Sequence, residues 1–437
     1  MLRSTRALIP LLIVCLLLTA CGPANNEATN KTNTQTQTST PEVCPGELTK
    51  VPTCLTPHAL RVAYGIESLI EKGFTGKGQT IIDITSFDSP TLQQDMKVFD
   101  QTFHLPPVDL QVISPIKEPE ADPQQDKETW VEVTVQEVEV LHAIAPGAKI
   151  IVLESPVAET EGTFGLPEFR KLLQYAIDNK LGNIVSLRWN ASEAALQDTP
   201  GQQELQQWND LLQQGTTKDH VTYFATSSST SSTNVTVDGQ HFMNVPTVCF
   251  PADSPWVTSV GGTNLLLTRT GSTLSETGWS ASGGGFSHFS QMPSYQKLLP
   301  AATQQQFNNQ RGIPDVSADE DTVTGLADYV TSPTSTGLPK GQWGQVGGNS
   351  GTPIWAGLQA IANQMAGHPL GFINPGLYTL ATAASYQQDF HDITQGDNTN
   401  VQADVKGYLA AAGWDPVTGL GTPNAEKLIP DLIAALK

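Results

Sequence analysis

Short apolar segments alternate with helix-like segments through the first half of the chain, and this alternation restricts the possible folds more than any other feature. The strand-like segments lie at 79–87, 109–114, 148–155, 183–189 and 221–227, and those at 148–155 and 183–189 are short apolar runs, as expected for strands covered on both faces. The segments with helical apolar spacing lie at about 56–73, 89–103, 167–181 and 201–215. This alternation predicts an α/β fold with a parallel sheet flanked by helices on both faces.

The first 20 residues predict an export signal. Arg3 and Arg6 precede an apolar run that is too short, and too close to a cleavage-type site, to remain as a membrane span. The sequence LTAC at 18–21 resembles a bacterial lipobox; the alternative is an ordinary cleaved signal with an incidental cysteine. We expect the protein to be anchored to the bacterial cell membrane through a lipid on Cys21, facing outside the cytoplasm.

Residues 22–55 predict a flexible tether, because the first part is Asn, Thr, Gln and Pro with almost no apolar side chain. Cys44 and Cys54 stand at its end, where an exported protein can form a local disulfide; two unpaired thiols are the alternative. The remaining chain, 56–437, is long for one domain but within the range of large α/β domains.

The formal net charge of −20 argues against nucleic-acid binding. It suits an acid-tolerant extracellular protein, and we expect a monomer whose partners are peptides or proteins.

Two stretches near the C-terminus, FHDIT at 390–394 and GWDPVTGLGTPN at 413–424, have the composition of an oxygen-lined cation site. Asp392 and Asp415 would supply carboxylates, and the small residues before Asp415 can turn carbonyl groups inward. Calcium takes about 6–8 oxygen ligands of these kinds. Most Asp-Gly loops, however, are plain turns.

These two stretches resemble the sedolisin family of serine-carboxyl peptidases, together with four further motifs in the same order, AIAPGAKI (143–150), FPADSPWVTSVGGTNL (250–265), ETGWSASGGGFS (276–287) and RGIPDVSADED (311–321). The resemblance runs from about Thr56 to the C-terminus and implies a subtilisin-like fold in one large domain. It also implies one structural calcium ion. Its ligands would be the side chains of Asp392 and Asp415 and the carbonyls of Ile393, Ala411 and Gly413, although the family usually has glycine where Ala411 stands.

Segment 129–143 resists a simple assignment. Valine alternates with polar residues at 131, 133 and 135, which by propensity predicts a strand. The same segment matches the helix that precedes the APGA turn in the family, so we predict a helix.

In the family, a Glu base and an Asp four residues later lie on one face of this helix. Aligned through AIAPGA, Val133 stands at the Glu position and Glu137 at the Asp position. Glu132 is one position, or about 100°, around the helix, so only a local bulge could bring it into the site. We expect Glu128, Glu132 and Glu139 to form a solvated acidic face.

The other two catalytic positions also depart from the family pattern. The Asp that serves the oxyanion falls on Ser229, whose hydroxyl can donate a hydrogen bond but lacks the acidity of a carboxyl. The nucleophile falls on Ser350 when counted from Trp343, and on Asn349 when counted back from Pro353. The sequence leaves open whether Ser350 attacks from a remodelled turn or only caps the following helix.

Other chemistries have less support. The eight histidines show no HExxH spacing, so a catalytic zinc site is not indicated. His142 is a substitute base on the Glu137 helix, but a histidine packed in the helix interface explains it as well.

The resemblance and its departures lead to one main expectation and two alternatives. The first is a lipid-anchored, calcium-binding sedolisin-fold protein with an impaired catalytic site, which binds peptides or proteins in the former cleft. The second is an active acid endopeptidase in which Ser350 attacks, Glu137 acts as base and Ser229 helps the oxyanion. The third is a substrate-capturing lipoprotein of a transport system.

Overall fold

The computed structural model of the protein describes residues 43–123, 125–159, 162–237, 241–268, 271–331, 341–348 and 350–437. The predicted signal segment, Cys21, most of the predicted tether and Asn349 lie outside these residues. None of the helices in the described ranges is long and apolar enough to cross a membrane.

The helices follow the predicted pattern and are, in chain order, α1 Pro57–Ala63, α2 Glu67–Glu71, α3 Leu92–Phe103, α4 Lys127–Ile144, α5 Leu166–Asp178, α6 Thr199–Lys218, α7 Ala301–Phe307, α8 Gly351–Ala366, α9 Asn374–Leu380, α10 Tyr386–Asp389 and α11 Ala425–Ala435. Short 3-10 turns lie at Gly46–Lys50, Glu193–Leu196 and Gln296–Leu298.

The strands are β1 Thr80–Ser86, β2 Asp109–Ile113, β3 Lys149–Ser155, β4 Ile184–Leu187, β5 Ala191–Ser192, β6 Thr222–Thr226, β7 Cys249–Phe250, β8 Thr258–Leu267, β9 Thr273–Gly278, β10 Gly285–Gln291, β11 Gln310–Ile313, β12 Val316–Asp319, β13 Ala327–Val330, β14 Gln342–Gln345, β15 Phe390–His391 and β16 Thr422–Pro423. The main sheet has the order β12-β8-β6-β4-β1-β3-β2, and β9 is added to β8. All neighbours along that order are parallel, and only β9 is antiparallel.

Both faces of the sheet are buried, because successive residues of a strand point to opposite sides. Ile81 belongs to the core that includes apolar residues of α4 and α8. Its neighbour Ile82 belongs to the second core, formed with α5 and α6. The prediction of a parallel sheet with helices on both faces is therefore confirmed, in one domain.

Helix α4 confirms the helical assignment of 129–143. The alternating valines favour a strand only when one face is exposed, whereas almost every residue from Val131 to Ile144 is buried. Tertiary burial therefore overrides local propensity in this segment.

Two local expectations were wrong. The single helix predicted at 56–73 is two short helices, because Gly65 between them has φ +68° and a Cβ there would lie 2.7 Å from Asn424 Oδ1. The folded unit also begins before residue 56. A disulfide joins Cys44 to Cys54, Leu48 is buried, and the Leu55 amide donates to the carbonyl of Gly325 at 3.2 Å.

Candidate active site

The residues predicted to act in catalysis come from segments that meet at the carboxyl edge of the parallel strands. Strand β4 ends at Leu187, β6 ends at Thr226 and β12 ends at Asp319, while α8 begins at Gly351. Parallel strands present their carboxyl ends on the same side, which is where open α/β sheets usually form their sites. Helix α4 packs beside this edge against α8 and β1.

Glu137 is fully buried beneath this edge. The Ser186 hydroxyl of β4 donates a hydrogen bond to its carboxylate. Burial raises the pKa of Glu137, although the charge of Arg188 and the Ser186 hydrogen bond oppose that shift. The Glu137 carboxylate therefore interacts with the Ser186 hydroxyl of β4 and with the charge of Arg188, which follows that strand.

Asp83 in the middle of β1 lies beside Glu137, and sequence analysis missed it. Burial and then the neighbouring Glu137 carboxylate raise the pKa of Asp83 well above its usual range. The two carboxyls thus lie close together in a buried place, which favours the protonated form of Asp83. The sequence did contain one indication of its importance. Asp83 is a single carboxyl residue within the apolar segment at 79–87, where burying a charge costs free energy unless the charge is paired or neutralised.

Val133 stands at the position of the family's base, and the group that it contributes to the site is a backbone carbonyl. Its carbonyl accepts a hydrogen bond from Arg188 Nη1 at 3.2 Å. Glu132 stays in a regular helix without a bulge, and its Oε1 lies 3.5 Å from Gln136 Nε2.

The predicted solvated acidic face of α4 was wrong for two of its three members. Glu128 is exposed, but Glu132 and Glu139 are buried. The reason is that α3 and β13 pack on that side of α4. Strand β13 is far from α4 in sequence, so the residue pattern of the helix alone could not show that β13 covers this side of it.

Arg188, directly after β4, occupies the space between α4 and the turn that precedes α8. Its guanidinium is 7% exposed. It donates to the carbonyl of Gly348 from Nε at 3.2 Å and from Nη2 at 2.6 Å. Nη2 also lies 3.1 Å from the Gly347 carbonyl and 3.2 Å from Gln136 Oε1. With the bond to Val133, one side chain ties the helix of the predicted base to the turn of the predicted nucleophile.

Arg188 was not singled out from the sequence. The segment NIVSLRW places an arginine at the end of a buried strand, which is an unusual position for a charge. Burial lowers the pKa of this arginine, whereas Glu137 and Glu320 raise it. The sequence therefore marked Arg188 as unusual but did not indicate which residues its side chain would contact.

Ser350 is buried at the start of α8, and its hydroxyl donates to the backbone carbonyl of Asp319 at 2.9 Å. It occupies the N-cap position without making a side-chain capping bond. The Glu320 carboxylate accepts from the Gly351 amide instead, at 3.2 Å. Within the described residues, then, the Ser350 proton is directed at a carbonyl group, which cannot act as a general base.

Ser229 does lie near the same turn. A Cβ placed on Gly348 would be 3.9 Å from the Ser229 hydroxyl. The structure therefore brings Ser229 and Ser350 to the two sides of the turn, whereas Glu137 is connected to it through Arg188.

His142 faces away from this turn. It is fully buried, and its Nε2 lies 2.8 Å from the Pro106 carbonyl and 3.2 Å from Asp100 Oδ1 of α3. This geometry agrees with the packing explanation, and it leaves the imidazole out of reach as a base for Ser350.

The two C-terminal loops bring their predicted ligands together. The Gly413 amide lies 3.0 Å from both oxygens of Asp392, and the Ala411 amide lies 3.2 Å from Asp415 Oδ2. The two carboxylates are thus attached to opposite ends of one three-residue segment. Asp415 also accepts hydrogen bonds from Val417 and Thr418.

The charge balance of these loops suits a cation. Burial raises the pKa of Asp415 to about 6 and raises that of Asp392. No cation among the described residues contributes to either shift. No cluster of three or more His, Cys, Asp or Glu side chains that could hold a metal occurs in the described ranges, so carbonyl oxygens would have to complete the coordination.

Comparison with known proteins points to one family. No family model matches the chain. Kumamolisin of Bacillus sp. (strain MN-32) is 30% identical over 397 residues, which cover 87% of this chain and 64% of that protein. Human tripeptidyl-peptidase 1 is 34% identical over 218 residues, which cover 45% of this chain and 34% of that protein. The chain therefore spans less than two thirds of the length of these curated relatives.

A solved structure shares the fold. Pseudomonas sedolisin, a serine-carboxyl proteinase complexed with two molecules of pseudo-iodotyrostatin, aligns with a TM-score of 0.69 at 24% identity. The alignment covers 86% of this chain and 97% of that chain.

Proposed function

Because the chain belongs to the sedolisin family of serine-carboxyl peptidases, we propose that it is an exported, calcium-stabilised member that has lost most or all of its peptidase activity and binds peptides or proteins in the former active-site cleft.

The observation that carries the proposal is the position of Arg188. Its guanidinium fills the gap where a base on α4 would meet the nucleophile, and it uses its N–H groups on the Val133, Gly347 and Gly348 carbonyls. A serine hydroxyl needs an adjacent base to take its proton. Loss of one member of such a group costs roughly 10⁴–10⁶ in turnover.

Peptide digestion tests the impairment. We expect the wild type and Ser350→Ala to release the same low amount of product from a peptide library between about pH 3 and pH 5, because among the described residues the Ser350 hydroxyl donates to a backbone carbonyl and not to a base. Cleavage by the wild type that disappears in Ser350→Ala would contradict the proposal.

Cleavage of that kind would support the second candidate, an active acid endopeptidase. The proximity of Ser229 and Ser350 at one turn favours this candidate. In it, Ser350 attacks, Glu137 is the base and Ser229 supports the oxyanion, which requires that Arg188 move away from the Gly348 carbonyl.

A binding measurement tests the peptide ligand. Ser229→Trp places a large ring beside Gly348 and should abolish retention of library peptides on the immobilised protein. Ser275→Trp, at an exposed position on β9, is the matched control and should retain them. Equal retention by both variants would exclude the cleft as the binding site.

Calcium is proposed as one structural ion held by the side chains of Asp392 and Asp415 and the carbonyls of Ile393, Ala411 and Gly413. The support is the convergence of both carboxylates on segment 411–413. When bound, the ion would neutralise the buried carboxylate of Asp415 and the half-buried one of Asp392, and would hold the loops together.

Anchoring through Cys21 rests on the lipobox-like sequence alone, because that cysteine lies outside the described residues. Palmitate labelling that persists in Cys21→Ser would contradict it.

A further inference from the structure

Strands β13 and β14 form an antiparallel pair that leads directly into the turn before α8. Trp343 of β14 packs on Phe103 and Phe99 of α3, with ring centroids 5.5 and 6.4 Å apart. The two residues that follow Val346 are Gly347 and Gly348, whose carbonyls hold Arg188. The position of this strand pair on the helices therefore sets the position of the turn.

Carboxyl groups make the polar contacts between β13 and the helices. Glu139 of α4 accepts from the Tyr329 amide at 3.1 and 3.3 Å. Asp95 of α3 accepts from the Thr331 amide at 3.2 Å and from the Thr331 hydroxyl. Asp328 Oδ2 accepts from Gln136 Nε2 at 3.2 Å.

These contacts bring several acids into one buried interface. Asp328 faces Glu132 and Glu139 of α4 and the guanidinium of Arg188, and Glu139 also faces Asp95 and Asp100 of α3. Asp100 in turn contacts His142. Strand β14 carries no charged residue, and the 3-10 turn that packs on it holds Glu47 and Lys50, which pair with each other at the surface.

Ionisation of all these acids would place several negative charges next to one buried cation. Burial and then the Asp328 charge raise the pKa of Glu139 well above its usual range. Burial and the charge of Glu132 raise the pKa of Asp328 to about 7, against the opposing effects of Gln136 and Arg188. The interface is thus built for neutral carboxyl groups.

We propose that protonated carboxyl groups hold the β13–β14 pair on helices α3 and α4, so that the pair and the turn at Gly347 and Gly348 are firmly docked in acid and loosen as the pH rises. This device does not depend on catalysis or on a peptide ligand. It would make the accessibility of the former cleft depend on pH.

The direction follows from proton linkage. An acid whose pKa is raised by docking stabilises the docked state fully below its ordinary pKa, and that contribution is lost as the pH rises through the raised value. For Asp328 this window runs from its ordinary value of 3.8 to about 7. A shift of this size corresponds to an increase of up to roughly 100-fold in the opening equilibrium between about pH 5 and pH 8.

Hydrogen exchange of the full chain tests the proposal. After correction for intrinsic exchange rates, amides of β13 and β14 should lose protection by up to roughly 100-fold over that range in the wild type. Asp328→Asn keeps an amide that can accept from Gln136 but cannot ionise, and it should remove most of this pH dependence. Asp109→Asn, at an exposed position at the start of β2, is the matched control and should behave like the wild type.

Two results would overturn the proposal. One is equal protection of the strand pair across the whole pH range in the wild type. The other is an unchanged pH dependence in Asp328→Asn. Because exchange is read without substrate, these outcomes are independent of whether the protein cleaves or binds peptides.

Discussion

The candidate active site and the C-terminal loop pair both contain buried carboxylates, but the charge of these carboxylates is balanced differently in the two regions. At the catalytic centre, Asp83 and Glu137 are buried together near the charge of Arg188, and burial favours the protonated form of Asp83. At the loop pair, Asp392 and Asp415 are satisfied by backbone amides, and no cation among the described residues compensates their charge.

This difference shows how two sites of one family fold can diverge. A catalytic site needs groups that are left available for substrate, whereas here the Arg188 guanidinium donates to the carbonyls of Val133, Gly347 and Gly348. A structural ion site needs only oxygen atoms at fixed positions. A backbone carbonyl can be kept when the side chain changes, as where Ala411 stands at a position that is usually glycine in the family. The comparison predicts that one region depends on an arginine and a proton, and the other on a metal ion.

The largest effect is expected from Arg188→Met. This change leaves Glu137 without its cation and several carbonyls without donors, and removal of one partner of a buried charge pair costs about 3–5 kcal/mol. Urea unfolding measures the loss. Arg170→Met is the control, because that arginine is partly exposed and pairs with Glu204, and it should lose clearly less stability than Arg188→Met. Similar losses of unfolding free energy in both variants would contradict a special role of Arg188.

Chelation should give the next largest effect, in the other region. A ligand present at 100 times its dissociation constant stabilises a protein by about 2.7 kcal/mol. A calcium chelator should therefore lower the melting temperature of the wild type and leave the double variant Asp392→Ala/Asp415→Ala unchanged. Asp404→Ala, at an exposed position, should respond like the wild type. An equal response of wild type and double variant would eliminate the ion.

Asp83→Asn tests the proton at the catalytic centre. Burial raises the pKa of Asp83 well above its usual range, so its contribution to stability is present in acid and is lost as the pH rises. The amide variant cannot lose that contribution. As the pH rises above the ordinary range of an aspartate, the wild type should therefore lose stability relative to the variant. Parallel unfolding curves of the two proteins would show that Asp83 carries no proton.

The smallest effect is expected from Ser350→Ala. The hydroxyl makes one hydrogen bond, to the Asp319 carbonyl, and such a bond contributes about 1 kcal/mol. Chemical denaturation should show this modest loss of stability. A loss well above 2 kcal/mol would mean that the hydroxyl has further partners.

The C-terminal loop pair could be singled out from the chain, because the ligands predicted there are contained in two short segments; the calcium ion itself stays a prediction. The catalytic centre was harder to read. Val133, Ser229 and Ser350 were identified as departures from the family pattern, and the structure places Ser229 and Ser350 at one turn. Asp83 and Arg188 were missed, because neither belongs to a motif and each acts on residues that are far away in sequence.

The sequence by itself determined the layered α/β fold, the helical nature of most segments and the family, because these depend on local periodicity and on short motifs. Only the tertiary structure decided that Glu132 and Glu139 are buried, that the Ser350 hydroxyl points to a carbonyl, and that Arg188 reaches Gly348 across 160 positions of sequence. The physical reason is that sheet order and helix packing choose which distant side chains meet. A buried charge then takes whichever partners that packing brings within hydrogen-bond distance.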